Sequence, residues 1–268
     1  MTDIIKNSIN VGLSGSFAMI TQVSTLMWLR TIMNYQYVNG TTFKTSFNKL
    51  YSEGGFLRLY RGYPLALAIG PISRFGDTAC NSAVLQLTKD TNLPISIKTG
   101  MASISAGIWR IGILPIDSLK VNYQVNGSLN TLRSTIETNG FRTLYNGGIA
   151  QSSATILGHY PWFVTYNYLN NYFPSETNDT KLKSLGRTGS IGLASSIVSD
   201  TVSNSVRVLK IYKQTDKNNL AYSQIVNHLY KKEGMTWIFR GLRTKIFTNG
   251  LNSIIFSISW KYFQDKLK

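Results

Sequence analysis

Two hydrophobic patterns alternate along the chain. Short stretches place apolar residues at helical spacing among Lys, Asn and Ser, as in Phe43, Phe47, Leu50 and Tyr51, and again in Ile225, Val226, Leu229 and Tyr230. Residues three and four apart share a helix face, so these stretches predict short amphipathic helices suited to lying on a surface. The longer stretches are nearly free of charge without being continuously apolar. Asn7 to Leu29 holds no charged residue, and Thr143 to Ser175 holds none when His159 is counted as neutral. Ser, Thr, Asn and Gly interrupt both, and no stretch is a clean run of the about 20 apolar residues that span a bilayer. Helices facing lipid on one side and a water-filled cavity on the other read this way. So do the polar-rich core helices of a soluble protein, and the pattern alone leaves both open. Long helices are predicted over 8–37, 63–88, 97–125, 148–173, 184–213 and 243–266.

Internal repetition separates those readings. Pro115, Asp117, Leu119, Lys120 and Gln124 line up, at a spacing of roughly ninety residues, with Thr25, Met27, Leu29, Arg30 and Asn34 before them. Ser205, Arg207, Leu209, Lys210 and Gln214 line up after them. Upstream at the same phase stand the pairs Gly12 and Ser16, Ala102 and Ala106, and Gly192 and Ser196, whose small side chains let membrane helices approach closely. Downstream, Glu53-Gly-Gly-Phe-Leu-Arg-Leu-Tyr-Arg-Gly62 matches Asn139-Gly-Phe-Arg-Thr-Leu-Tyr-Asn-Gly147 and Glu233-Gly-Met-Thr-Trp-Ile-Phe-Arg-Gly241. The unit is a long helix, a surface helix, a Gly-aromatic-Gly turn and a second long helix. Its three copies, 1–92, 93–180 and 181–268, predict an all-α bundle of six membrane helices with pseudo-threefold symmetry, in a single domain.

Charge then limits the partners. The chain of 268 residues carries 28 Lys and Arg against 12 Asp and Glu, a formal charge of +16. That balance points to phosphate-bearing partners, whether nucleic acid, anionic lipid or a small anion. Charged residues make up only 15%, below the about 25% of soluble domains, which favours a membrane protein over a nucleic-acid binder. Mean hydropathy is −0.05 and by itself reads as soluble. The single Cys80 excludes an internal disulfide framework. The opening MTDIIKNSINVG is neither Arg-rich nor followed by a cleavage-like site, so no removable targeting peptide is expected.

Pro-x-Asp/Glu-x-x-Lys/Arg, followed after a surface helix by Gly-x-x-x-Tyr/Phe-Arg-Gly, resembles the signature of the mitochondrial carrier family over essentially the whole chain. The resemblance implies a multi-pass, monomeric protein of the mitochondrial inner membrane, with no cofactor, that alternates access to one central site. It further implies contact with anionic phospholipid such as cardiolipin. A matrix gate is expected from inter-repeat salt bridges at Arg30, Asp117, Lys120, Arg207 and Lys210, braced by Gln124 and Gln214. This chain departs from the family there. Met27 offers Lys120 nothing, Arg207 faces Arg30 as a like charge, and only Asp117 can pair with Lys210. Such a gate is expected to open more easily and to allow one-way transport. The alternative is a charged collar at the lipid headgroups. Pro115 is expected to kink its helix, whereas hydroxyls at Thr25 and Ser205 bend theirs only modestly. The opposite, cytoplasmic gate falls on Asn81, Tyr166, Asn167, Trp260 and Lys261, where no acid is present.

The family's substrate contacts, carried over by position, fall on Ala154, Thr155, Thr248 and Asn249, with Ile69, Gly70, Ile20 and Ser253 at related positions. Arg74, His159, Arg110 and Asp200 follow by the same register, and Asp77 shares the face of Arg74. Arg74 and Arg110 are the preferred oxyanion ligands, because guanidinium groups present paired donors. Alternatively Arg74 pairs with Asp77, and Arg110 with Asp200, as structural bridges, while His159 is a satisfied polar core residue. The small uncharged pair Ala154-Thr155 and the cavity cations favour an anionic metabolite, a nucleotide or deoxynucleotide. An amino acid or other zwitterion is the runner-up, because Asp77 and Asp200 could hold an ammonium. A membrane adaptor without transport also fits the missing acids. No enzyme is indicated: His159 and His228 lie in different repeats, and neither a metal-ligand cluster nor a phosphate loop is present.

Overall fold

The computed structural model describes the backbone of residues 2–88, 90–174 and 181–266. It describes the side chains of that range except at 2–16, 74, 78, 81–82, 85–86, 95–96, 181–183, 185, 260–261 and 264–265. The described residues form helices and connecting turns, without strands. Long helix α1 (Thr2–Asn39) leads through short helices α2 (Phe43–Ser52) and α3 (Gly55–Leu59) into long α4 (Tyr63–Leu87). Next come α5 (Ile95–Gly112) and α6 (Leu114–Asn126), two halves of one broken helix, then short α7 (Asn130–Asn139), a tight helical turn over Phe141–Tyr145 and long α8 (Gly148–Tyr172). The last third repeats the order with α9 (Lys181–Thr215), α10 (Tyr222–Glu233), a turn over Gly234–Phe239 and α11 (Leu242–Lys266).

The break between α5 and α6 sits at Ile113, whose φ of −91° and ψ of 1° leave the helical region. Pro115 is the cause, since it has no N–H to donate and its ring crowds the carbonyl of Ile111. Thr25 and Ser205 stand at the matching positions of α1 and α9, which run on unbroken. The Thr25 hydroxyl donates to the carbonyl of Thr21 at 2.8 Å, so that turn keeps its backbone ladder. Short α2 starts at Thr42, whose side chain accepts from the N–H of Thr45 at 3.3 Å. Similarly, Gln224 reaches back to accept from the N–H of Ala221 at the start of α10, at 2.8 Å.

The long helices pack as a closed ring in chain order: α1 on α4, α4 on α5, α5 on α8, α8 on α9, α9 on α11, and α11 back on α1. The glycine ending each turn seals the joints. Gly62, Gly147 and Gly241 all have positive φ, at 82°, 88° and 64°. A Cβ on Gly62 would lie 3.3 Å from the carbonyl of Lys120, and one on Gly147 would lie 3.1 Å from that of Lys210. On Gly241 it would lie 2.9 Å from the Tyr37 ring. Only glycine combines that backbone conformation with so close an approach. Each turn therefore locks onto the first long helix of the next repeat round the ring.

At one end α1, α6 and α9 contact one another. There Tyr37, Val121, Val125, Val208, Ile211, Ile225, Leu229 and Trp237 form a buried apolar cluster with α10. Full burial of a side chain such as Leu229 contributes roughly 1.5–3 kcal/mol. Elsewhere the usual distribution is inverted. Ile97, Met101, Ile104 and Ile108 point outward from α5 while Ser103 is buried behind them; Phe247, Ile254 and Ile258 point outward from α11 while Thr244 and Thr248 are buried. By hydropathy, no helix among the described residues is long and apolar enough to cross a membrane. An average over both faces dilutes an apolar outer stripe with the polar inner one.

Candidate functional site

The ring encloses a cavity of about 640 Å³ whose wall includes Arg30, Arg110, Lys120, Arg207, Lys210 and Lys245, against the carboxylates Asp77 and Asp117. A side chamber of about 450 Å³ between α5, α8 and α9 shares Asp77, Arg110, Gln151 and Arg207 with it. Charges inside a bundle are costly unless they meet water or partners, so the cavity wall is the place to look for function.

Asp117, buried at the floor, receives Lys210 of α9 at 2.5 Å as expected and also Lys120 of its own helix at 2.5 Å. Lys120 is therefore partnered despite Met27, because an (i, i+3) reach brings it back to the same carboxylate. Met27 itself packs with Val23 and Ala66. Arg207 and Arg30 each donate to an uncharged oxygen. Arg207 donates to Ser203 Oγ at 3.1 Å and extends toward Gly158, while Arg30 donates to Asn252 Oδ1 at 3.1 Å.

Gln124 and Gln214 brace helices rather than the salt bridges. Asn34 donates to Gln124 Oε1 at 2.7 Å, and Gln214 donates to Ser118 Oγ at 3.1 Å, each joining two of the three converging helices. An arginine clamp that the sequence reading passed over secures the same end. Arg58 donates to the carbonyls of Gln124 and Val125, both at 2.9 Å, while its Nε meets Glu53 at 3.0 Å. Arg240 caps α1 in the same way through the carbonyls of Tyr37 and Val38, at 3.0 and 2.7 Å, and pairs with Glu233 at 2.6 Å. The recurrence of Glu, Gly and Arg around those turns was the available signal. Hydrogen bonding from Arg240, partly offset by burial, holds the Glu233 carboxyl below its ordinary value of 4.5.

Higher in the cavity, Arg110 and Asp77 form a two-point pair at 3.1 and 2.5 Å. The alternative Arg110–Asp200 bridge does not form. Asp77 is taken by Arg110, and Asp200 accepts instead from Asn249 across the α9–α11 joint. The side chain of Arg74 lies outside the described residues. Ala154, Thr248, Asn249, Ile69, Gly70 and Ser253 line the main cavity, whereas Thr155 and His159 line the side chamber. Thr155 and Thr248 are occupied with their own helices, donating to the carbonyls of Gln151 at 3.0 Å and Thr244 at 2.6 Å. Ile20 is 42% exposed and is absent from both walls. At the opposite gate, Tyr166 stacks on Trp162 at 4.9 Å and Asn167 is exposed. The side chains of Asn81, Trp260 and Lys261 lie outside the described residues.

Lys245 was not anticipated. It stands one turn before Asn249, to whose Oδ1 it donates at 3.3 Å, with Arg207, Arg30 and Lys210 as like-charged neighbours and Asp200 as the opposite charge. Its spacing from Asn249 and Asn252 puts all three on one face of α11, which was the usable signal.

A closed ring of six long helices, one of them broken at a proline, around a cavity crowded with cations defines a carrier-type fold. The chain belongs to the mitochondrial carrier family: the profile described as mitochondrial carrier protein matches residues 91–177 and 181–268. Members of that family are transporters. The mitochondrial arginine transporter BAC1 of Arabidopsis thaliana is 24% identical over 145 residues, a match covering 50% of this chain and 46% of that protein. The matched part thus spans about half of each.

Proposed function

We propose that this carrier moves a small anionic metabolite, a nucleotide or deoxynucleotide, by alternating access across the mitochondrial inner membrane. The observation that carries the reading is the cavity wall, which among the described residues sets six cationic side chains against two carboxylates. One carboxylate is committed to Arg110 and the other to Lys120 and Lys210. The surplus positive charge attracts multivalent anions and repels cations, and a cavity of this size holds a nucleotide. Membrane embedding is supported by the apolar outer and polar inner helix faces. The division into repeats 1–92, 93–180 and 181–268 belongs to this reading, supported by the three glycine joints. So do a matrix gate around Asp117, a cytoplasmic gate at the far end, contact with cardiolipin and a monomeric state.

The likeness to an arginine transporter favours a second reading, an amino-acid or other zwitterion carrier, in which Asp77 or Asp200 would hold the ammonium group. Purified protein in liposomes loaded with candidate substrates decides between them. Labelled nucleoside triphosphates should enter faster than labelled arginine or neutral amino acids. The reverse order establishes the amino-acid reading. Uptake of neither class by folded protein points to an adaptor that does not transport.

A further inference from the structure

The floor of the cavity has a second charged corner, where α1, α9 and α11 meet. Arg30, Arg207 and Lys245 line the cavity on three different helices that pack against one another, and Lys245 has Arg207 and Arg30 as charged neighbours. The hydrogen bonds of Arg207 and Lys245 go to uncharged oxygens, Ser203 Oγ and Asn249 Oδ1. Asp200 is the carboxylate of this corner, and it is held by the side-chain amide of Asn249. Asn252 ties the corner together, accepting from Arg30 through its side chain at 3.1 Å and from Gln22 through its backbone carbonyl at 3.3 Å. Arg207 occupies the register position that Asp117 occupies one repeat earlier, so a cation stands where the neighbouring repeat supplies the bridging acid.

We infer that Arg30, Arg207 and Lys245 form an oxyanion site, in which a bound phosphate group supplies the negative charge that Asp117 supplies on the opposite side of the floor. Three cations around one polar recess, on helices that must stay together for the floor to close, repel one another. A tetrahedral phosphate bridges all three with charge-assisted hydrogen bonds, and the two guanidinium groups present paired donors to its oxygens. The site lies one helical turn from Thr248 and Asn249 toward the converging end, so occupancy favours the arrangement in which the floor is closed. The phosphate is either the tail of a transported nucleotide or free inorganic phosphate. The inference deepens the anion-carrier reading by assigning where the phosphate sits.

Thermal unfolding of the purified full-length protein in detergent, titrated with sodium phosphate against sodium chloride at matched ionic strength, tests the site. Phosphate should stabilise saturably and chloride should not. Lys245→Gln and Arg207→Gln should each weaken the apparent phosphate affinity about tenfold, the loss of one charge-assisted hydrogen bond. Arg133→Gln, which removes an exposed cation of α7, should leave it unchanged. Arg207→Asp places a carboxylate at the bridging position. It should raise the midpoint by roughly 2–4 °C without phosphate and abolish the response to it. Equal effects of phosphate and chloride on the wild type overturn the site, and that comparison suffices if a variant fails to fold. Unchanged affinity in Lys245→Gln and Arg207→Gln, or an equal loss in Arg133→Gln, also overturns it. A nucleoside monophosphate that competes with phosphate, where the nucleoside does not, identifies the substrate tail as occupant; the absence of such competition assigns free phosphate. Transport of an anion without saturable phosphate binding defeats the site alone. Phosphate binding that is lost in the variants, in a protein that transports no anion, defeats the transport reading alone.

Discussion

The two sides of the cavity floor are built on the same register and end with opposite electrostatics. On the α6–α9 side a single carboxylate, Asp117, holds Lys120 and Lys210 at 2.5 Å each. On the α1–α9–α11 side Arg207 stands at the matching position, and Arg30 and Lys245 line the same recess. One side gathers its cations on a shared carboxylate, while on the other the cations donate to Ser203, Asn249 and Asn252. The difference shows that a symmetric backbone does not impose symmetric energetics. A repeat can keep its helices, its glycine joints and its bases, and still exchange a bridging carboxylate for a cation through one residue.

The comparison is broken most directly at Asp117. Asp117→Asn leaves two buried ammonium groups beside a neutral amide and should cost about 3–5 kcal/mol, read as a lower unfolding midpoint in detergent. A change below about 1 kcal/mol would mean that the floor does not depend on this carboxylate, and the two sides would then be alike. The arginine clamps sharpen the comparison from outside the cavity. Arg240→Ala strands the carbonyls of Tyr37 and Val38 together with Glu233, and should cost about 3 kcal/mol. Arg142→Ala, in the middle repeat where Asn139 and Asn146 replace the clamp residues, should stay within about 0.5 kcal/mol. Equal costs would show that the middle joint has a clamp of its own.

The smallest effect is set by pH. Because Glu233 titrates below its ordinary value of 4.5 when folded, its contribution is fully present above that value and is lost as pH falls through the folded one. Wild type should therefore exceed Glu233→Gln by no more than about 1 kcal/mol at pH 7. The two should converge as the solution is acidified from 4.5 through the lower folded value, as followed by unfolding midpoints across a pH series. A difference that does not shrink at all on acidification would place the stabilising interaction elsewhere.

The sequence by itself determined the six long helices, their order and some of the positions that face the main cavity, Ala154, Thr248 and Asn249 among them. Those properties follow from local constraints that recur three times: Pro115 must break its helix, Gly62, Gly147 and Gly241 must adopt positive φ, and amphipathic runs such as Phe43 to Tyr51 must lie flat. Repetition also fixed the register, so that Asn34 and Gln124 could be equated and were found bonded to each other at 2.7 Å. What only the tertiary structure decided was the pairing of charges. Asp77 chose Arg110 on the neighbouring helix, Asp200 chose Asn249, and Lys120 turned back to Asp117. Lys245 joined a site that the repeat pattern did not flag. Long cationic side chains reach several acceptors from one backbone position, and the choice among them depends on the packing of helices far apart in the chain. Register is a property of the backbone and is written locally. Partner choice depends on which side chains the closed ring brings together.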